Sequence, residues 1–187
     1  MGPDENPELW AFLASLRCGR ILDGTVAATE RFGVFVALDD GPAHPVFPGV
    51  GFITIPELSW TRIEAASDVV AVGQRVACEF LQFDTWNLEA RLSLRALRPD
   101  PLRDFADRTA VGRRLRGRVT KLVPFGAFVR VADGVEGLVH LRELARAPVE
   151  NPEDVVGVGD EVCVVVLEVD LLRRRVALSL RRASAPL

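Results

Sequence analysis

Gly117–Val129 reads GRVTKLVPFGAFV. Val119, Leu122 and Val123 supply apolar positions, Pro124 interrupts, and Phe125-Gly126-Ala127-Phe128-Val129 opens a second extended run. Proline, glycine, β-branched and aromatic residues at this density specify two strands joined by a tight turn and argue against a helix. Phe125 and Phe128 are three residues apart, which strand alternation alone would send to opposite faces. A bulge at Gly126 would re-phase the strand and turn both rings to one side. Two readings of the rings follow. They are core, as most aromatics are, or they form a solvent-facing platform on which nucleobases stack.

The same stretch occurs earlier. Gly24–Val36 reads GTVAATERFGVFV, and Gly24, Val26, Phe32, Gly33, Phe35 and Val36 each match the residue 93 positions later, as Gly24 matches Gly117. The chain is therefore a tandem of two related units, each long enough at roughly 90 residues to bury a modest core. The first is expected to run through a helix over Pro7–Leu16 and strands over Ile21–Ala27, Phe32–Leu38, Gly51–Ile55, Arg75–Phe83 and Glu89–Leu94. Between the second and third strands, Asp39–Val50 (DDGPAHPVFPGV) is rich in Pro and Gly and reads as a long loop. Pro56–Ser67 reads as a polar loop or short helix. Arg98-Pro99-Asp100-Pro101 cannot continue a strand ladder and marks the boundary between residues 1–98 and 99–187. Pro101–Arg108 repeats the lead-in helix. Strands follow over Leu115–Lys121, Phe125–Val131, Gly137–Leu141, Glu161–Asp170 and Arg175–Leu180, and the tail Ala183–Leu187 is expected to fray. Five short antiparallel strands, with a helical turn between the third and fourth, describe a small closed barrel of OB type. The fold class is all-β, two tandem five-stranded OB barrels, each with a short lead-in helix.

Composition narrows the function. Hydrophobic residues make up 49% of the 187, enough for real cores. No stretch reaches the roughly 18 to 20 apolar residues of a membrane span, and the acidic start MGPDENPELW lacks the basic and apolar regions of a signal peptide, so a cytoplasmic protein is expected. Cys18, Cys78 and Cys163 are far apart without CxxC spacing, which suggests buried small hydrophobes rather than a zinc site or disulfide frame. Charge is uneven. Residues 1–98 carry 8 Arg and no Lys against 13 Asp and Glu, a balance of −5, while residues 99–187 balance at +2, against −3 for the whole chain. Basic residues of the second unit cluster at Arg113, Arg114, Arg116, Arg118 and Lys121, at Arg173–Arg175 and at Arg181-Arg182. Arginine presents a planar fork to phosphate and stacks on bases, which suits RNA.

The blocks FGAFV, GVEGLVHL, GDEV, VLEVD and RRRVALSL, in this order behind Gly117 and Val119, resemble the S1 RNA-binding domain, an OB-fold repeat. The resemblance covers nearly all of Arg113–Arg182, and Gly19–Arg95 looks like a degenerate copy. It implies an RNA-binding face made of Phe125 and Phe128 on the second strand, His140 on the third, Asp170 ending the fourth and Arg175 opening the fifth. Alternation agrees in part: His140 between Val139 and Leu141, and Arg175 beside Val176, both point outward if those neighbours point inward. Asp170 either bonds a base or hydroxyl or holds Arg175 in position. Arg116, Arg118 and Lys121 are expected to meet the RNA backbone.

In the first unit, Phe32, Phe35 and Asp84 stand at the matching positions, but Thr54 replaces the histidine and Glu89 the arginine. Arg91 lies two residues on, on the same face, as a partial substitute. An acidic residue on a phosphate-facing surface weakens binding, so Phe32, Phe35, Asp84 and Arg91 are the weaker candidates. The long loop and an exposed Trp60 suggest a protein contact for this unit, with simple stabilisation of its neighbour as the alternative.

No GxxxxGK[ST], GxSxG, HExxH or carboxylate cluster is present, and the only histidines are His44, in the Pro-rich loop, and His140. The expectation is therefore a protein without enzymatic activity, cofactor or metal. It would bind single-stranded RNA through its second barrel, with weak sequence preference, in translation, ribosome association or RNA turnover. The rival reading is an adaptor that docks on a ribosome or RNA-processing enzyme through its acidic first barrel.

Overall fold

Ten strands close into two five-stranded barrels. In the computed structural model, which describes residues 5–183, the division between compact units falls between Pro99 and Asp100. The first unit comprises α1 (Pro7–Ser15), β1 (Ile21–Glu30), β2 (Gly33–Leu38), β3 (Gly51–Thr54), α2 (Ile55–Leu58), β4 (Arg75–Asp84) and β5 (Glu89–Ser93). The second repeats it with α3 (Pro101–Arg108), β6 (Arg114–Val123), β7 (Gly126–Ala132), β8 (Val135–His140), α4 (Leu141–Leu144), β9 (Glu161–Asp170) and β10 (Arg175–Ser179). The tail expected to fray lies outside the described residues beyond Ala183.

Both barrels have one topology, β1-β2-β3-β5-β4 and its counterpart β10-β8-β7-β6-β9. The expectation of purely antiparallel strands needs correction. Strand β3 pairs with β5 in parallel at Gly51↔Ala90 and Phe52↔Arg91, and β8 pairs with β10 in parallel at Leu138↔Ala177 and Val139↔Leu178. Parity forces this. A ring with an odd number of strands cannot alternate direction all the way round, so at least one neighbouring pair must run parallel.

Each lead-in helix buries one stripe, Leu9 and Leu13 from α1, Leu102 and Phe105 from α3, at spacings that share a helix face. Inward positions of the strands complete the cores, with Val26, Val34, Val36 and Ile53 in the first and Val119, Val129, Val139 and Val166 in the second. The two α-helical turns are strapped alike. Glu57 in α2 accepts two hydrogen bonds from Arg95, and Glu143 in α4 accepts two from Arg181.

Two other expectations change. The bulge beside the aromatics is not at Gly126 but on the partner strand. The register steps from Val119↔Val129 to Lys121↔Phe128, leaving Thr120 as the extra residue, and Ala27 does the same in β1. Gly126 serves close approach instead, since a Cβ there would collide with the Val139 carbonyl oxygen. Gly33 repeats the constraint against the carbonyl of Ile53. Of the cysteines only Cys78 is buried; Cys18 and Cys163 are exposed. Burial pushes the Cys78 thiol up to about 12, which keeps it inert.

Candidate nucleic-acid interface

Phe125 sits in the turn before β7, 51% exposed, and Phe128 projects from β7 itself, so both rings reach the same side of the second barrel. They line a cleft of about 650 Å³ together with His140, Asp170, Arg173 and Arg175. His140 is the last residue of β8 and the N-cap of α4, where its Nδ1 accepts the Arg142 N–H at 3.4 Å, and it is exposed as alternation predicts. Arg175 opens β10, is exposed, and has no carboxylate paired with it among the described residues.

Asp170 holds the β9–β10 turn rather than Arg175. Its Oδ1 accepts the Arg173 N–H at 2.9 Å, and its Oδ2 lies 4.0 Å from the Arg173 guanidinium. In the first barrel Asp84 does the same work, accepting the N–H groups of Trp86 and Asn87. Sequence reasoning left Arg173 and Arg174 in a generic basic cluster. Arg174 adopts a left-handed conformation, φ 53°, as Leu88 does at φ 57° in the matching turn. It also donates to Asp100, the N-cap of α3, at 2.7 Å. That bond, with the Leu102 N–H, holds the Asp100 carboxyl below its usual range against the opposing effect of burial.

The cleft is not uniformly basic. Glu136, Glu143 and Glu168 also line it. Glu143 is engaged by Arg181, and Glu136 lies 3.7 Å from Arg130. Burial opposes the charged form of Glu143, but hydrogen bonds from Ser179 and Arg181 outweigh it and keep the carboxyl ionised to lower pH than usual.

Three expected backbone contacts lie elsewhere. Arg116 and Arg118 border a separate shallow groove of about 570 Å³ with Glu161 and Cys163, between β6 and β9, and Arg118 pairs with Glu161 at 3.1 Å. Lys121 is exposed opposite Phe128, at the flank of the cleft.

The first barrel places its counterparts differently. Phe32 is 62% exposed, but Phe35 is buried at 5%. Phe47, from the long loop, stacks on Phe35 with centroids 5.1 Å apart and planes 21° apart, and His44 stacks on Phe47 in turn at 4.8 Å. Arg91 is half-buried, its Nε 3.0 Å from Asp84, and its guanidinium lies 4.9 Å above the Phe52 ring. Burial works against the charged form of Asp84, but the hydrogen bonds from Arg91, Asn87 and Trp86 hold its carboxyl low. Glu89 is buried rather than phosphate-facing, and burial raises its carboxyl above the usual range although Arg91 opposes the shift. Trp60 is not exposed either. It is half-buried, donates from Nε1 to the Arg98 carbonyl at 3.1 Å and carries the Arg95 guanidinium on its face.

Two closed five-stranded barrels of OB type, one with an open aromatic cleft rimmed by arginine, belong to a fold class whose members bind oligonucleotides or oligosaccharides. The family follows from comparison with known proteins. The chain belongs to the S1 RNA binding domain family, whose model matches residues 15–95 and 108–181. It is 47% identical over 174 residues to the small ribosomal subunit protein bS1 of Mycobacterium tuberculosis, covering 92% of this chain and 34% of that protein. It is 37% identical over 172 residues to a bS1 homolog of Bacillus cereus, covering 91% of this chain and 43% of that protein. The chain thus spans well under two thirds of these relatives' length. Among solved structures, GSP13 of Bacillus subtilis is 39% identical over 42% of this chain and 62% of that one, with a TM-score of 0.40. The family is one of RNA binding by its description. No helix among the described residues is long and apolar enough to cross a membrane.

Proposed function

We propose that the second barrel binds single-stranded RNA by stacking bases on Phe125 and Phe128, with His140 and Arg175 at the edge of the stack. The observation that carries this reading is the open cleft that gathers these four side chains on one face of one barrel. Aromatic stacking accepts any base, so the preference for sequence is weak. Arg173 and Arg175 meet phosphate at the rim, while Lys121 extends the path along the flank. Because carboxylates share the cleft, stacking contributes more of the affinity than charge does. The relatives named as a small ribosomal subunit protein support a role in translation, with the small subunit and its RNA as partners.

The test is fluorescence anisotropy of the whole chain with a short labelled oligouridylate, at two salt concentrations, for the wild type and for Phe128→Ala. Salt-sensitive binding that is weakened in the variant by about 1–3 kcal/mol is the expected result. Equal binding by both proteins would remove the stacking face from the account.

A further inference from the structure

The first barrel has the same backbone as the second at its aromatic face, yet that face is covered. Phe35 and Phe128 are equivalent in detail. Each follows a glycine pressed against the third strand's backbone, and each lies opposite the bulge of the first strand. Their surroundings differ because the loop after the second strand differs. In the second barrel a tight turn through Asp133-Gly134 leads from β7 into β8. In the first, Asp39–Val50 folds back and lays Phe47 flat on Phe35, in the offset face-to-face geometry a base adopts on an aromatic side chain.

His44 fastens this arrangement. Its Nδ1 accepts the N–H groups of Val46 and Phe47 at 3.1 and 2.9 Å, so the ring proton sits on Nε2 and is donated to the Asn87 carbonyl at 2.9 Å. Asn87 belongs to the β4–β5 turn, the counterpart of the arginine-bearing turn that rims the open cleft. The loop therefore crosses from β2 to the opposite wall, and one buried imidazole ties both ends of the crossing. Pro42, Pro45 and Pro48 stiffen it, which lowers the entropy lost on closure. Beneath Phe47 lies Phe35, which packs in turn against Phe52 with Arg91 over its ring, so the aromatic and cationic groups that a stacked nucleotide uses adjoin the covered ring.

We infer that Phe47 is an internal substitute for a nucleobase: it occupies the stacking face of the first barrel, with His44 as its latch, and so confines RNA binding to the second. Displacing the loop uncovers a second site for unpaired RNA bases on Phe35 and Phe52. This inference rests on the reading of the second barrel given above.

The test uses the whole chain and the labelled oligouridylate. Phe125→Ala with Phe128→Ala disables the second barrel, and His44→Ala with Phe47→Ala is added to open the first. The opened protein is expected to bind roughly tenfold or more tightly than its disabled parent, within the range of one recovered base stack. No gain in an opened protein whose circular dichroism and melting match the parent's would overturn the inference. A second measurement needs no variant. Crosslinking of 4-thiouridine RNA to the wild type is expected to mark second-barrel peptides only, and equal marking of Phe32–Thr54 would overturn the inference even if the opened protein does not fold. A wild-type chain that binds no RNA takes down the second-barrel reading and this inference with it. Binding by the wild type without gain on opening takes down this inference alone.

Discussion

Phe128 is the residue on which the RNA reading depends most. Its removal leaves the β7 backbone and the cleft's rim in place, so Phe128→Ala is expected to weaken oligouridylate binding by about 1–3 kcal/mol, which anisotropy measures directly. Glu89 makes a prediction of a different kind. Its folded-state carboxyl titrates above the unfolded value, so the charged form costs stability at neutral pH and that cost is relieved as pH falls through the raised value. Glu89→Gln should therefore raise the melting temperature at pH 7 and lose that advantage in acid. At this scale the sequence was legible wherever alternation governs. His140 and Arg175 point outward because Val139 and Val176 point in. Phe35 was not legible, since its exposure is set by Phe47 in a loop that no periodicity describes. Asp170 lay between the two, with a structural role recognised but assigned to Arg175 rather than to the Arg173 backbone.

At the scale of elements, the start of β7 tolerates nothing beyond glycine. Gly126→Ala would drive a methyl into the Val139 carbonyl, so the strand must move away from β8. A loss of about 1–3 kcal/mol is expected, seen as a melting temperature lower by roughly 4–8 °C per kcal/mol. The second lever is acid. Asp100 and Glu143 both titrate below their unfolded values, so their contribution is complete above the ordinary carboxylate range and disappears as pH falls through the lowered values. In the first unit Asp84 and the exposed Asp39, bonded to Arg75, act in the same sense, whereas Glu89 opposes them. Amide exchange should therefore show the second unit losing protection first as pH drops. Strands and lead-in helices were readable to within a few residues because their patterns are local. The bulge was assigned to the wrong strand, since glycine marks close approach as readily as an added residue.

For the whole molecule, the two barrels share a fold and divide in exposure. Salt dependence separates the contributions to RNA binding. Single-stranded RNA should lose affinity with a slope near −0.7 per contacted phosphate. Arg175→Ala is expected to flatten that slope by about one contact, whereas Phe128→Ala lowers affinity and leaves the slope unchanged. Tandem architecture was legible because a repeat at a fixed offset needs no tertiary information. The unequal charge of the two units favours the second as the proposed binder, but gives no hint that Arg116 and Arg118 lie outside the cleft.

The parallel pairing that completes each barrel has one more consequence. Two similar strand sets on one polypeptide invite exchange, each offering the other a ready template, and unpaired sheet edges are where such exchange and aggregation begin. Here the ring leaves no edge: β4 returns to β1 and β9 to β6, so every strand has a partner on both sides. A unit sealed in this way can be duplicated along a polypeptide without its copies growing into one another's sheets.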